Sequence, residues 1–462
     1  MKTIRVVATA LAIPFVIASA QQQLASTARV CCTKDTTIVV KDTNAAKPAT
    51  VFSLLKPIVI QHSRPGDQRG INVFESAKSD NTVPYTGFRL DFGAAFAQEW
   101  QGLQHQNSAA PNVVAGVNTN QLMTIGHGFN TAVANGYLNA QVAPGIRVAM
   151  TSYLSARHHN ESWVKDGYAL IDASPIDVPL FNSLMKYMTL KIGHFEINYG
   201  DEHFRRTDNG QSMFNPFVGN LITDAFTTEI GGEVYLRAHG FLGMASVTGG
   251  EVKGSVETPQ SRSPAYIGKL GYDKQLTQDI RFRLTSSVYK KDRSASNTLF
   301  TGDRGGSRYF DILENTTSTT TANAWSGEVR PGFSSRVTSF VVNPFVKVQG
   351  VEVFGNIETA TGKTATEPGY RTWRQLAGEG IYRFADDKLY AGYRYNTVAG
   401  SLLGIQNDVN ANRYQIGGGW FINPMMLFKV EYVNQKYYGF PVNDIRRGGQ
   451  FKGFLVESTL AF

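Results

Sequence analysis

From Thr86 to Phe462 the chain alternates apolar and polar side chains with a period of two. That is the strand period, and it puts successive residues on opposite faces of a sheet. In the first such segment Phe88, Leu90, Phe92, Ala94 and Phe96 share one face, while Arg89, Asp91 and Gly93 share the other. Leu138, Ala140 and Val142 lead through Ala143-Pro144-Gly145 into Ile146, Val148 and Met150, a hairpin with Arg147 on the opposite face. The alternation recurs at 233–237, 266–272 and 280–288. Near the end, Tyr382 and Phe384 turn through Ala385-Asp386-Asp387 into Leu389, Ala391, Tyr393 and Tyr395. Tyr414, Ile416 and Trp420 turn through Ile422-Asn423-Pro424 into Met426, Phe428, Val430 and Tyr432, and the last strand carries Phe454, Val456, Leu460 and Phe462.

The connections between these segments fall into two classes. Some are tight turns; others are long and polar, such as 199–223 and 292–324, the second with a Thr-rich stretch at Asn315–Thr321. Loops of that length argue against a compact soluble domain. They fit a transmembrane barrel, with short turns at the periplasmic rim and long loops outside. The mean hydropathy of -0.21 agrees, because only alternate strand residues of such a barrel meet lipid. The expected fold is therefore all-β: a transmembrane antiparallel β-barrel over 86–462. At roughly 23 residues per strand and connection it has about sixteen strands. The aromatics Tyr382, Phe384, Tyr393, Tyr395, Trp420, Phe421, Tyr437, Tyr438 and Phe440 are expected in the interfacial girdles.

The start of the chain reads as an export signal over 1–20: Lys2 and Arg5, an apolar run from Val6 to Ile17, and the small residues Ala18-Ser19-Ala20. No later window is apolar for the 18 or more residues that a spanning helix needs. Residues 21–85 are polar and interrupted by Pro48, Pro57, Pro65 and Pro84, and read as a periplasmic segment that touches or enters the barrel. Cys31 and Cys32 are adjacent and supply no disulfide framework. The chain is modestly basic, with a formal net charge of +8. It has no basic run or nucleic-acid motif, so nucleic acid is not an expected partner. In an exported barrel the same excess suits an anion-friendly interior.

Parity assigns Arg89, Arg147, Lys191, Arg237, Lys269, Arg281, Arg283, Arg383, Arg394, Arg413 and Lys429 to the inward face. Asp91, Glu233, Glu379, Glu431 and Glu457 share it. Such a face either lines a wet pore or pairs its charges into a rigid wall. The candidates for anion selectivity are Arg205 and Arg206, if their loop folds inward, with Arg281, Arg283, Arg394, Arg147, Lys191, Arg413 and Lys429 on the wall. A loop folded outward would leave Arg205 and Arg206 as a solvated tip. His158, His159 and Glu161 lack further ligands at metal-site spacing, and no metal or other cofactor is expected. No nucleophile elbow or phosphate loop is present, so the chain is not expected to be an enzyme.

The ending Val456-Glu457-Ser458-Thr459-Leu460-Ala461-Phe462 resembles the terminal signature by which outer-membrane barrels are recognised for insertion. The segment Leu190-Lys191-Ile192-Gly193-His194-Phe195-Glu196-Ile197-Asn198-Tyr199-Gly200 resembles a region of the phosphate-selective porin superfamily, and 86–462 is similar in organisation to those sixteen-stranded barrels. The resemblance implies an outer-membrane porin in which anions, chiefly phosphate or polyphosphate, diffuse through a basic channel. It also implies that outer-membrane lipid surrounds the barrel, and that a homotrimer is the assembly to look for. The expected function is passive diffusion of small hydrophilic or anionic solutes. The alternatives are a closed barrel that binds a ligand or partner and, third, a lipid-acting barrel enzyme.

Overall fold

The computed structural model describes residues 63–75, 78, 85–155, 162–174, 176–250, 261–302, 308–319, 323 and 326–462. The expected signal peptide, Cys31–Cys32 and the His158, His159 and Glu161 group lie outside the described residues. The alternating segments become β1 (Arg89–Gln106), a small loop hairpin of β2 (Val113–Val114) and β3 (Val117–Asn118), β4 (Gly128–Ala143), β5 (Ile146–Leu154) and β6 (Ser162–Ile171). Then come β7 (Met188–Glu196), β8 (Thr228–Ala238), β9 (Phe241–Thr248), β10 (Ala265–Gln275), β11 (Ile280–Lys291) and β12 (Arg336–Val348). The series ends with β13 (Val351–Lys363), β14 (Arg371–Phe384), β15 (Leu389–Gly400), β16 (Val409–Asn423), β17 (Met426–Tyr438) and β18 (Gln450–Ala461).

Apart from β2 and β3, each strand pairs antiparallel with its neighbours in sequence, and β1 pairs with both β4 and β18. The result is a closed barrel of sixteen strands. Closure leaves no unpaired edge, which a sheet in hydrocarbon cannot carry. The turns after β4, β8, β12 and β16 are two residues long and those after β10 and β14 four, while the connections on the opposite rim are longer. The connection from β6 to β7 is longer than the other turns on its rim and carries a short helix, Pro179–Leu184.

The faces follow the sequence parity. On β10, Leu270 is 69% exposed and its neighbour Lys269 only 1%. Phe92, Leu236, Tyr266, Val353, Ile357, Ile416 and Phe454 likewise point outward. An apolar outer belt on a closed barrel is a lipid-facing surface, so the chain is a transmembrane barrel of the outer membrane. Beside the short turns the belt ends in rings: Phe241 against Tyr272 at 5.0 Å, Tyr382 stacked on Phe384 at 5.7 Å, and Trp420. Phe421, Tyr437 and Phe440 do not join the girdle. They are buried inside, because Phe421 and Tyr437 alternate with the outward Trp420 and Tyr438, and Phe440 folds in with its loop. At one point wall strands approach so closely that only glycine fits: a Cβ on Gly193 of β7 would stand 2.5 Å from the Gly167 carbonyl oxygen of β6.

Candidate functional site

The candidate site is the barrel lumen. Sixteen strands leave room for an aqueous channel unless something fills it. Among the described residues, the segments that enter include residues 63–75, the β7–β8 loop and part of the β11–β12 loop. The β7–β8 loop is hydrogen-bonded around much of the wall. Asn209 Nδ2 donates to the Ala134 carbonyl and to Asn135 Oδ1 on β4, at 3.0 and 2.8 Å. The Gly200 amide donates to Ser287 of β11 and the Asp201 amide to Asn343 of β12. Further round, the Thr223 amide donates to Gln375 of β14, Ile222 to Asn396 of β15, and Val218 to Glu431 of β17. These backbone donors, turned toward wall acceptors, hold the loop across the lumen.

The loop therefore folds inward, and both of its arginines are paired. Arg205 donates to Glu379 of β14, with Nε at 3.1 Å, and also to Asn72. Arg394 of β15 binds the same carboxylate at 2.7 Å. Arg206 binds Asp224 at 2.5 Å, with both side chains buried. On the wall, Arg283 contacts Asp201, Glu75 and Asp273 at 2.7, 2.6 and 3.1 Å. Arg281 pairs with Asp273, Lys191 with Glu233, and Lys429 with Glu457.

Two candidates differ. Arg413 donates to Gln435 and to the carbonyls of Asn220 and Gly327, with no carboxylate in salt-bridge range among the described residues. Arg147 reaches only the side chain of Asn139, at 3.4 Å, again with no carboxylate among the described residues.

Several groups that sequence reasoning missed complete the lumen. Glu75 and Asn72 come from the N-terminal segment; Asp201 and Asp224 come from the β7–β8 loop. Arg308 and Tyr309 descend from the β11–β12 loop, where Tyr309 donates to Glu431 at 2.6 Å and Arg308 lies 3.5 Å from Glu457. The only sequence signal of Glu75, Asp201, Asp224 and Arg308 was charge in a long polar stretch, and Asn72 and Tyr309 had none. Burial raises the carboxyls of Glu75 and Asp201, but Lys269 and Arg283 outweigh it and hold both below the usual range. Burial lowers His203 well below its ordinary value, and Lys269 adds to the effect, so the imidazole is neutral.

Cavities lie at both ends. On the short-turn side a 410 Å³ cavity is lined by Gln68, Asn72, Arg281, Lys347, Glu352 and Arg383, among others. A 170 Å³ cavity lies among Arg64, Phe74, Glu75, Lys191, His203 and Arg237. Among the long loops a 440 Å³ cavity includes Asn120, Glu314, Glu328 and Arg446. Between the loops and the wall, Thr207, Asn220, Arg308, Tyr309, Glu328 and Arg413 enclose 10 Å³, about the space of one water.

No family model matches the chain, and no curated protein matches it. Among solved structures it is similar to the outer-membrane OmpT of Vibrio cholerae, at 10% identity and TM-score 0.47, covering 83% of this chain and 100% of that one. It is also similar to an anion-selective porin from Comamonas acidovorans, at 9% identity and TM-score 0.49, covering 81% of this chain and 100% of that one. The outer-membrane channel DcaP of Acinetobacter baumannii gives 9% identity and TM-score 0.48 over 82% of this chain and 99% of that one. Likeness this low carries nothing of those proteins' activities to this chain.

Proposed function

We propose that the protein is an outer-membrane porin: a narrow wet path for passive diffusion of small hydrophilic solutes, with a preference for anions. The observation that carries this reading is the polar lumen. Inward strand positions and the infolded loops present charges, amides and hydroxyls beside an apolar cluster that includes Phe195, Val218 and Leu402, and cavities of 410 and 440 Å³ stand at the two ends.

The anion preference rests on Arg147 and Arg413, which have no carboxylate within salt-bridge distance among the described residues, and on Arg281, whose side chain is 26% exposed toward the 410 Å³ cavity. Arg205, Arg206, Arg283, Arg394, Lys191 and Lys429 shape the path but are compensated by their partners. The resemblance to phosphate-selective porins supplies phosphate-like anions as the solute class and a homotrimer as the assembly.

Proteoliposome swelling tests the reading. Purified protein should admit small sugars and small anions and exclude larger oligosaccharides. Vesicles that stay impermeable to every solute would overturn it.

A closed, ligand-binding barrel is the second reading. The density of buried pairs, such as Arg206–Asp224 and Lys429–Glu457, favours it. Impermeable vesicles containing folded protein would be its signature.

A further inference from the structure

We propose that residues 63–75 form a strap that narrows the pore from the short-turn side, and that the Glu75 carboxylate occupies a basic site on the β10–β11 wall that a solute oxyanion takes when the strap withdraws. The proposal deepens the porin reading and rests on it.

The strap enters beside the short turns. The Gln68 amide donates to the Pro424 carbonyl at 2.9 Å, and Gln68 Nε2 donates to the Asp387 carbonyl at 2.8 Å. Asp67 caps a single 3-10 turn over Gln68–Gly70 and sends the chain inward. Asn72 then meets Arg205 and, through its carbonyl, Arg281 at 2.9 Å. The Phe74 ring wedges between Phe204 and Phe345, with centroids 5.6 and 5.4 Å away. Glu75 lies between Lys269 at 2.8 Å and Arg283 at 2.6 Å.

Two features make this a movable part rather than a piece of the wall. Gln68 to Pro424 is the strap's only backbone–backbone hydrogen bond to the barrel among the described residues, whereas wall strands are held by continuous ladders. The strap is also the common boundary of two cavities: Gln68, Ile71 and Asn72 line the 410 Å³ space, and Arg64, Val73, Phe74 and Glu75 line the 170 Å³ one. Its withdrawal would join them.

The charges explain what the vacated site would take. Lys269, Arg281 and Arg283 face Glu75, Asp201 and Asp273, so the cluster is neutral with the strap in place. Without Glu75 it carries one cation in excess, and Arg205 loses its Asn72 acceptor on the same side of the lumen. A carboxylate held by Lys Nζ and an Arg guanidinium marks a position where another oxyanion can bind.

The test uses the full chain and the variants Glu75→Gln and Phe74→Ala, each confirmed as folded by heat-modifiable mobility. All are measured in planar bilayers across a potassium acetate gradient. Both variants should show larger single-channel steps than the wild type. Glu75→Gln should also raise the acetate-to-potassium permeability ratio about threefold to tenfold, the effect of removing one negative charge near the path. Wild-type channels with unchanged steps and ratio in both variants would overturn the strap and leave the porin standing. Silence from all three folded proteins would overturn the porin reading and the strap with it. If Glu75→Gln does not fold, Phe74→Ala carries the test through its step size.

Discussion

Arg206 has its guanidinium buried over the Phe226 ring, at 4.4 Å from the centroid, and pairs with Asp224. Replacing it by Ala leaves a carboxylate buried without its partner, which costs about 3–5 kcal/mol. Arg206→Ala should therefore lower the urea concentration that melts the heat-modifiable fold, and adding Asp224→Asn should restore much of the loss. Glu328, in the β11–β12 loop, makes a second prediction at this scale. Burial raises its carboxyl to about 8, against the pull of Arg330. A carboxyl raised on folding gives stability that is whole below its ordinary value near 4.5 and is lost as the pH rises through about 8. The Val329 amide, bonded to the Ile222 carbonyl, should thus exchange faster at about pH 9 than at about pH 6, beyond the intrinsic base catalysis of exchange. Glu328→Gln should remove that excess. Parity brought Arg283, Arg394, Arg413 and Lys429 to the lumen correctly. It could not show that Asp201, Glu379 or Glu457 would neutralise most of them, because ion pairing depends on contacts between residues far apart in sequence.

The strands were legible because lipid on one face and water on the other force a period of two. The loops carry no such constraint. Nothing periodic marks 63–75 as a lumen segment, or shows that Arg308 and Tyr309 descend from a loop expected outside. The girdle assignments of Phe421 and Tyr437 failed for the converse reason: each has an outward neighbour, and adjacent strand residues cannot both face lipid. β18 should decide insertion. It pairs with β17 on one side and β1 on the other, with Ala461 opposite Ala95 and Leu460 opposite Phe96. Deleting Thr459–Phe462 leaves unpaired backbone in hydrocarbon, at several kcal/mol for each group. The truncated chain should accumulate in the periplasm, and a normal heat-modifiable barrel in the outer-membrane fraction would contradict this. Gly210 tests the infolded loop. A Cβ there would stand 2.6 Å from the Ala95 carbonyl oxygen and 2.7 Å from Ala134 Cα. Neither backbone atom can move without disturbing the wall, so Gly210→Ala should push the loop from β1 and β4 and enlarge the single-channel step.

At the scale of the molecule, the barrel and its lumen answer to different physics. Closure and the apolar belt follow from the membrane, which accepts only internally satisfied backbone. The interior instead depends on how the infolded segments pack and share a fixed set of charges. Among the described residues most cations meet a carboxylate there, and Arg147 and Arg413 do not. The crowded interior is proposed to conduct all the same, narrowly and with an anion bias. Single-channel recording of the purified full chain in a planar bilayer, under a potassium chloride gradient, tests it most directly. Discrete steps smaller than those of Gly210→Ala are expected, with a reversal potential on the anion-selective side. Folded, heat-modifiable protein that gives no steps at all, or steps with a cation-selective reversal potential, would contradict it.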